Sequence, residues 1–100
     1  MNLTSITTTA SGKPLSKSHT KLLAKLASLG VRSYPSPAVR QNPYSGATVE
    51  LEPLAVTLHD FIIHSYWGGM VGSAFPLSVW NRARYMFLHY WPEEYYSLID

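Results

Sequence analysis

Proline placement constrains this chain more than any other feature. Pro35, Pro37 and Pro43 crowd one stretch, RSYPSPAVRQNPYSGATV, residues 32–49. A proline inside a helix removes a backbone donor and clashes with the preceding turn. No long helix can therefore run through this connector, and its first part is biased towards extended, polyproline-like geometry. Within it, NPYSG (residues 42–46) is a turn signature: Pro43 sets φ and Gly46 relieves strain. A short strand through ATVEL fits the pattern, but no partner strand is evident for it. Pro53, Pro76 and Pro92 act differently. Pro53 and Pro76 open amphipathic patterns, at the position where a missing N–H costs nothing. Pro92 stops or kinks the pattern before it, and Glu93 and Glu94 then sit where the positive end of a new helix favours carboxylates.

The periodicities between these punctuation marks predict a mainly α fold. A first helix runs through KSHTKLLAKLASLG, capped by Ser16 or Ser18 and ended by Gly30, with Leu22, Leu26 and Leu29 as its apolar stripe. A second begins at Pro53 and ends at Gly68-Gly69, carrying Leu54, Leu58, Phe61, Ile62 and Ser65 at helical spacing. A third opens near Pro76, and Trp80, Ala83, Phe87 and Tyr90 fall along one face. Burial of Trp80 and Phe87 is expected from that stripe. The aromatic cluster HYWPEEYY, residues 89–96, then reads as a helix–proline–helix corner that completes the core. The expectation is a small domain of three to four helices over residues 16–100, with a Pro-rich connector. Residues 1–15 are rich in Ser and Thr and hold only Leu3, Ile6 and Leu15 as large apolar residues, so a flexible tail is expected there.

Charge is unevenly distributed. Residues 1–49 carry Lys13, Lys17, Lys21, Lys25, Arg32 and Arg40 and no acid, whereas all six acids fall at residues 50–100 with only Arg82 and Arg84 against them. Eleven of the 13 aromatic residues also lie in that second half. A basic half of this kind meets phosphate or acidic surfaces, or it docks on the chain's own acidic half. Lys17, Lys21 and Lys25 recur every four residues along one helical face. That ladder suits phosphate contacts, with Arg32 and Arg40 beside it, and equally suits a solvated face.

Enzymatic chemistry finds little support in these residues. The chain has no Cys, which excludes disulfides, thiolate zinc sites and cysteine nucleophiles. His59 and His64 are five apart, not the four of a two-histidine zinc helix, and Asp60 and His64 share a face as an ion pair would. No GxSxG elbow is present, and the glycines of GGMVGSA fit neither a dinucleotide nor a phosphate loop. Glu93 and Glu94 are adjacent and point apart. Catalysis, a cofactor and a metal are not expected. No apolar run approaches the roughly 18 residues that span a bilayer, and the start lacks the pattern of a secretory signal, so no membrane partner is expected.

Two segments carry a resemblance. NPYSGATVELEPLAV (residues 42–56) and WNRARYMFLHYWPEEYYSLID (residues 80–100) resemble short uncharacterised proteins encoded by tailed bacteriophages. The resemblance covers the back 60 residues or so and brings no catalytic motif or site residues. It implies a protein of the bacterial host cytoplasm, made during infection, that binds a host or phage component. The expected function is therefore a small non-enzymatic interaction protein, whose partner contacts are expected at Tyr66, Trp67, Tyr95 and Tyr96. The alternative is a small nucleic-acid-binding protein using Lys17, Lys21, Lys25, Arg32 and Arg40. A further alternative is a minor virion component.

Overall fold

A computed structural model describes residues 2–99; Met1 and Asp100, the outermost residues of the expected tail and of the expected helical domain, lie outside that range. The fold is mainly helical, with four helices and a small sheet. In chain order it has a 3-10 turn at Leu3–Ser5, helix α1 at Lys17–Ser28, strands β1 at Ala38–Gln41 and β2 at Thr48–Leu51, and helices α2 at Pro53–Trp67, α3 at Leu77–Tyr90 and α4 at Pro92–Leu98.

The helix boundaries follow local chemistry. Ser16 is the N-cap of α1, its hydroxyl accepting from the His19 N–H. At the other end Gly30, at φ +92°, lets the Gly30 N–H reach the Ala27 carbonyl and the Val31 N–H reach Leu26, which satisfies carbonyls the helix leaves open. Prolines stand at the first turns of α2 and α4, while Pro76 is the N-cap of α3. Trp91 is the hinge residue between α3 and α4, and Tyr90, Trp91 and Tyr95 are buried around it. The segment HYWPEEYY is a helix–proline–helix corner, with Tyr96 left exposed.

Helix α2 is central. Leu54 to His59, Phe61, Ile62 and Ser65 are all buried, so it has no wide polar face. Leu22, Leu23 and Leu26 of α1 and Val79, Ala83, Met86, Phe87 and Tyr90 of α3 complete the core with Leu51, Tyr95 and Leu98. Ala83, Phe87 and Tyr90 of the expected face of α3 are buried, and the departure is confined to its first residue. Phe87 is fully buried, but Trp80 is only half-buried, because Val79 takes the inward position one residue earlier.

Two departures from the sequence reading have clear physical causes. The strand at Thr48–Leu51 does have a partner, the antiparallel strand Ala38–Gln41, in the register Ala38 to Leu51 and Gln41 to Thr48. Pro37 precedes β1 without interrupting it, and the turn at residues 42–47 joins the two strands. Asn42 organises that turn. Its Oδ1 accepts from the Tyr44 and Ser45 N–H groups, and its Nδ2 donates to the Ser97 carbonyl at 3.0 Å, tying the hairpin to α4.

The second departure concerns residues 2–15, which pack against the helices and do not stand away as a tail. Leu3 is 1% exposed within the core, and Ile6 and Leu15 pack against it. Few apolar residues suffice here because the backbone of the segment is satisfied internally. Thr8 and Pro14 form a bridge around Gly12, at φ +93°, and the Thr9 hydroxyl accepts from the Lys13 N–H. Side chains elsewhere hold it down: Glu52 accepts from the Ala10 N–H at 2.8 Å, and the Tyr90 hydroxyl accepts from the Ser16 N–H at 3.1 Å.

Candidate functional site

Where α2 ends and α3 begins, the two helices run antiparallel and bring three aromatic rings to the surface. Tyr66 stacks on Trp80, with centroids 5.7 Å apart and planes at 23°, and meets Trp67 edge-on at 6.2 Å. The Trp80 indole N–H donates to the Ile62 carbonyl at 3.0 Å, which fixes the ring against α2. Tyr44, at the tip of the β1–β2 turn, approaches Trp67 from the far side at 6.4 Å. Between them lies a groove of about 470 Å³, floored by His59, Ile62 and Ile63 and closed by Leu98 and Ile99 from the end of α4. Its volume is that of a site for a small ligand or one large side chain. Tyr44, Tyr66 and Trp67 remain 81%, 62% and 61% exposed.

Arg84, His59 and Gln41 bring polar groups to the lining of this mostly apolar space. Arg84, one turn beyond Trp80, lies with Cζ 4.9 Å from the Trp80 ring centroid and donates from Nη2 to the Tyr95 hydroxyl at 2.9 Å. Among the described residues it makes no ion pair, and no Asp or Glu lines the groove. His59 is only 7% exposed. Its Nδ1 is 2.9 Å from Asp60 Oδ1, and Asp60 in turn accepts two bonds from Arg40, at 2.9 Å from Nε and 2.8 Å from Nη2.

That chain of groups sets the state of the imidazole. Burial pushes the His59 pKa down despite the nearby carboxylate. Burial alone would raise Asp60, but the bonds from Arg40 and His59 outweigh it and hold its carboxyl below the usual range. The Arg40 guanidinium is stabilised in its charged form, chiefly by its bonds to Asp60. An ionised carboxylate only accepts, so neutral His59 carries its proton on Nδ1 and presents Nε2 as an acceptor. Nε2 has no hydrogen-bond partner among the described residues.

The residues singled out from sequence fall into separate groups. Tyr66 and Trp67 are on the groove; Tyr96 is exposed on α4. Tyr95 is buried, with its hydroxyl engaged by Arg84, so its ring is core and not contact surface. Lys17, Lys21 and Lys25 are exposed along α1 and, with Arg32, form no ion pair among the described residues. Arg40 does not join them as a free cation, because Asp60 neutralises it. Asp60 thereby pairs with Arg40 and His59, not with His64. Among the described residues no cluster of three or more His, Asp or Glu is placed to hold a metal, and no helix is long and apolar enough to cross a membrane. Tyr44, Trp80 and Arg84 were missed as groove walls, since four elements must converge before the groove exists. His59 offered a signal: it is a lone polar ring inside the apolar run LAVTLHDFII.

Comparison of the chain with protein-family models, curated proteins and solved structures gives no match.

Proposed function

We propose that this is a non-enzymatic interaction protein that captures a partner protein on the aromatic groove. The observation that carries the reading is the set of exposed rings at Tyr44, Tyr66 and Trp67 around one cavity, with Tyr66 stacked on Trp80, Trp67 edge-on to Tyr66 and Tyr44 beside Trp67. Large apolar rings left in water are costly unless something covers them, and Trp, Tyr and Arg dominate the energetics of protein interfaces. Here all three residue types line one cavity. The resemblance of residues 42–56 and 80–100 to phage-encoded proteins supplies the setting: a host or phage protein as partner, in the bacterial cytoplasm.

The experiment is affinity capture from the native host, with the wild-type chain beside Trp67→Ala and Tyr66→Ala. Both side chains are more than half exposed, so the variants keep the fold. The expected result is one recovered partner, lost or at least tenfold weakened in both variants, as for central interface aromatics, each of which typically contributes about 2 kcal/mol or more. Undiminished capture by both variants would remove the groove from the interaction.

A second reading has its own support. Lys17, Lys21 and Lys25 stand exposed on one side of α1 without acidic partners among the described residues, the arrangement a phosphate backbone fits. It makes the protein a nucleic-acid binder, and salt-dependent retention on DNA separates it from the first.

A further inference from the structure

We infer that the segment captured by the groove is acidic and aromatic: a side chain bearing an N–H or O–H, such as Trp or Tyr, next to a carboxylate. The inference rests on the proposed capture function and names what the groove selects.

Charge complementarity carries the first half. Arg84 is the one fully charged side chain among the described lining residues, and neither it nor the groove has a carboxylate partner there. Its guanidinium covers the Trp80 face and spends one nitrogen on the Tyr95 hydroxyl, leaving the remaining donors for an incoming group. A guanidinium held over an aromatic ring keeps its charge and its free N–H groups for a carboxylate. A basic occupant would meet like charge with no acid among the described lining residues to offset it.

The His59 imidazole carries the second half. Its Nδ1 is committed to Asp60, which is itself locked by two bonds from Arg40. Nε2 is left as an acceptor without a protein partner among the described residues, on a ring that lines the groove, and it is still reached by solvent. An occupant that covers this acceptor without a donor would take it from water unpaired, which is unfavourable, whereas a donor that reaches it avoids that loss. The floor around it, Ile62, Ile63, Leu98 and Ile99, is aliphatic and gives no donor. The occupant therefore has to bring a flat apolar body for Tyr66, Trp67 and Ile63, a donor for His59 and an anion for Arg84. An indole or phenol with a neighbouring Glu or Asp meets all three.

Nuclear magnetic resonance titration of the full chain with acetylated, amidated tetrapeptides tests this directly. The probes are Gly-Trp-Glu-Gly, Gly-Trp-Lys-Gly and Gly-Phe-Glu-Gly. The expected result is shifts confined to groove residues, with the Trp-Glu peptide bound about tenfold more tightly than the Trp-Lys peptide, the size of effect a single charge contact can produce. Phe-Glu, which has no donor for His59, should also bind more weakly than Trp-Glu. Arg84→Gln should erase the preference for Glu over Lys and Arg84→Lys should keep it, so loss of the Tyr95 contact is distinguished from loss of charge. Equal binding of the Glu and Lys peptides, equal binding of Trp-Glu and Phe-Glu, or no binding of any would overturn the inference. The capture experiment separates the two levels. A partner lost in Trp67→Ala but kept in Arg84→Gln leaves the interaction reading standing and removes this one, whereas a partner kept in both removes both.

Discussion

His59 shows how a single residue can be visible in a sequence while its role stays hidden. Its spacing from His64 raised the question of a metal, yet the structure uses Asp60 to orient the ring and Arg40 to hold Asp60. The partner on Arg40 lies 20 residues upstream on another element, so no local spacing could reveal it. The arrangement has a pH consequence. Burial depresses the His59 pKa below its ordinary 6.5, and the His19 pKa is depressed as well, by burial first and then by His89 and Arg82. Below pH 6.5 the unfolded chain then binds protons that the folded chain refuses, so stability falls as the pH drops from there towards the folded pKa values. Asp60 adds a further loss at lower pH, where its depressed carboxyl is finally protonated. Urea unfolding midpoints measured from pH 7.5 to pH 5 should fall in the wild type and fall less steeply in His59→Gln, which cannot titrate. An identical slope in the variant would show that His59 is not the group responsible. The α3 aromatics give a second residue-level test. Phe87→Ala should cost about 3–5 kcal/mol as a buried ring is lost. Trp80→Ala should cost less, since its ring is half-exposed, while still opening the groove wall; thermal denaturation of the two variants ranks them.

At the scale of elements, the helices were legible and the irregular segments were not. Caps, prolines and apolar spacing act locally, so Ser16, Gly30, Pro53 and Pro92 mark real boundaries in the structure. The hairpin was half-legible: the NPYSG turn and the second strand could be read, but pairing depends on Ala38–Gln41, a stretch shadowed by Pro35 and Pro37. Residues 2–15 were misread because composition counts apolar residues without knowing where each one lands. One leucine placed in the core and a set of backbone bonds to Glu52 and Tyr90 fasten the whole segment. Leu3→Ala should therefore destabilise the protein by about 2–5 kcal/mol, as for other buried leucines. Deletion of residues 2–15 should lower the melting temperature by at least as much as Leu3→Ala does. A truncated chain that melts with the wild type would show the segment to be dispensable after all.

Over the whole molecule, the division into a basic front and an acidic, aromatic back becomes two separate surfaces. One ion pair among the described residues, Arg40 to Asp60, joins the halves; the α1 lysines and Arg32 enter none. Internal docking of the two halves therefore accounts for little of the front-half charge, and the lysine face stays available to solvent or to phosphate. The groove is built from α2, α3, α4 and the hairpin turn, with no α1 residue on its lining. Substitutions on one surface should thus leave the other intact, which lets a single pair of variants decide between the two functions. Lys17, Lys21 and Lys25 changed together to Gln leave Leu22, Leu23 and Leu26 in place, so the fold should hold. A phosphate-binding protein would show log affinity for duplex DNA falling with log salt by about 0.9 per contact, and the triple variant would flatten that slope by up to about three units. A groove-binding protein behaves otherwise: the triple variant keeps its partner, Trp67→Ala loses it, and neither binds DNA tightly at physiological salt. The second outcome is expected, because the aromatic rings are ordered around a cavity while the α1 lysines make no ion pair among the described residues. Submicromolar DNA binding at physiological salt, abolished in the lysine variant and untouched by Trp67→Ala, would instead assign the function to α1.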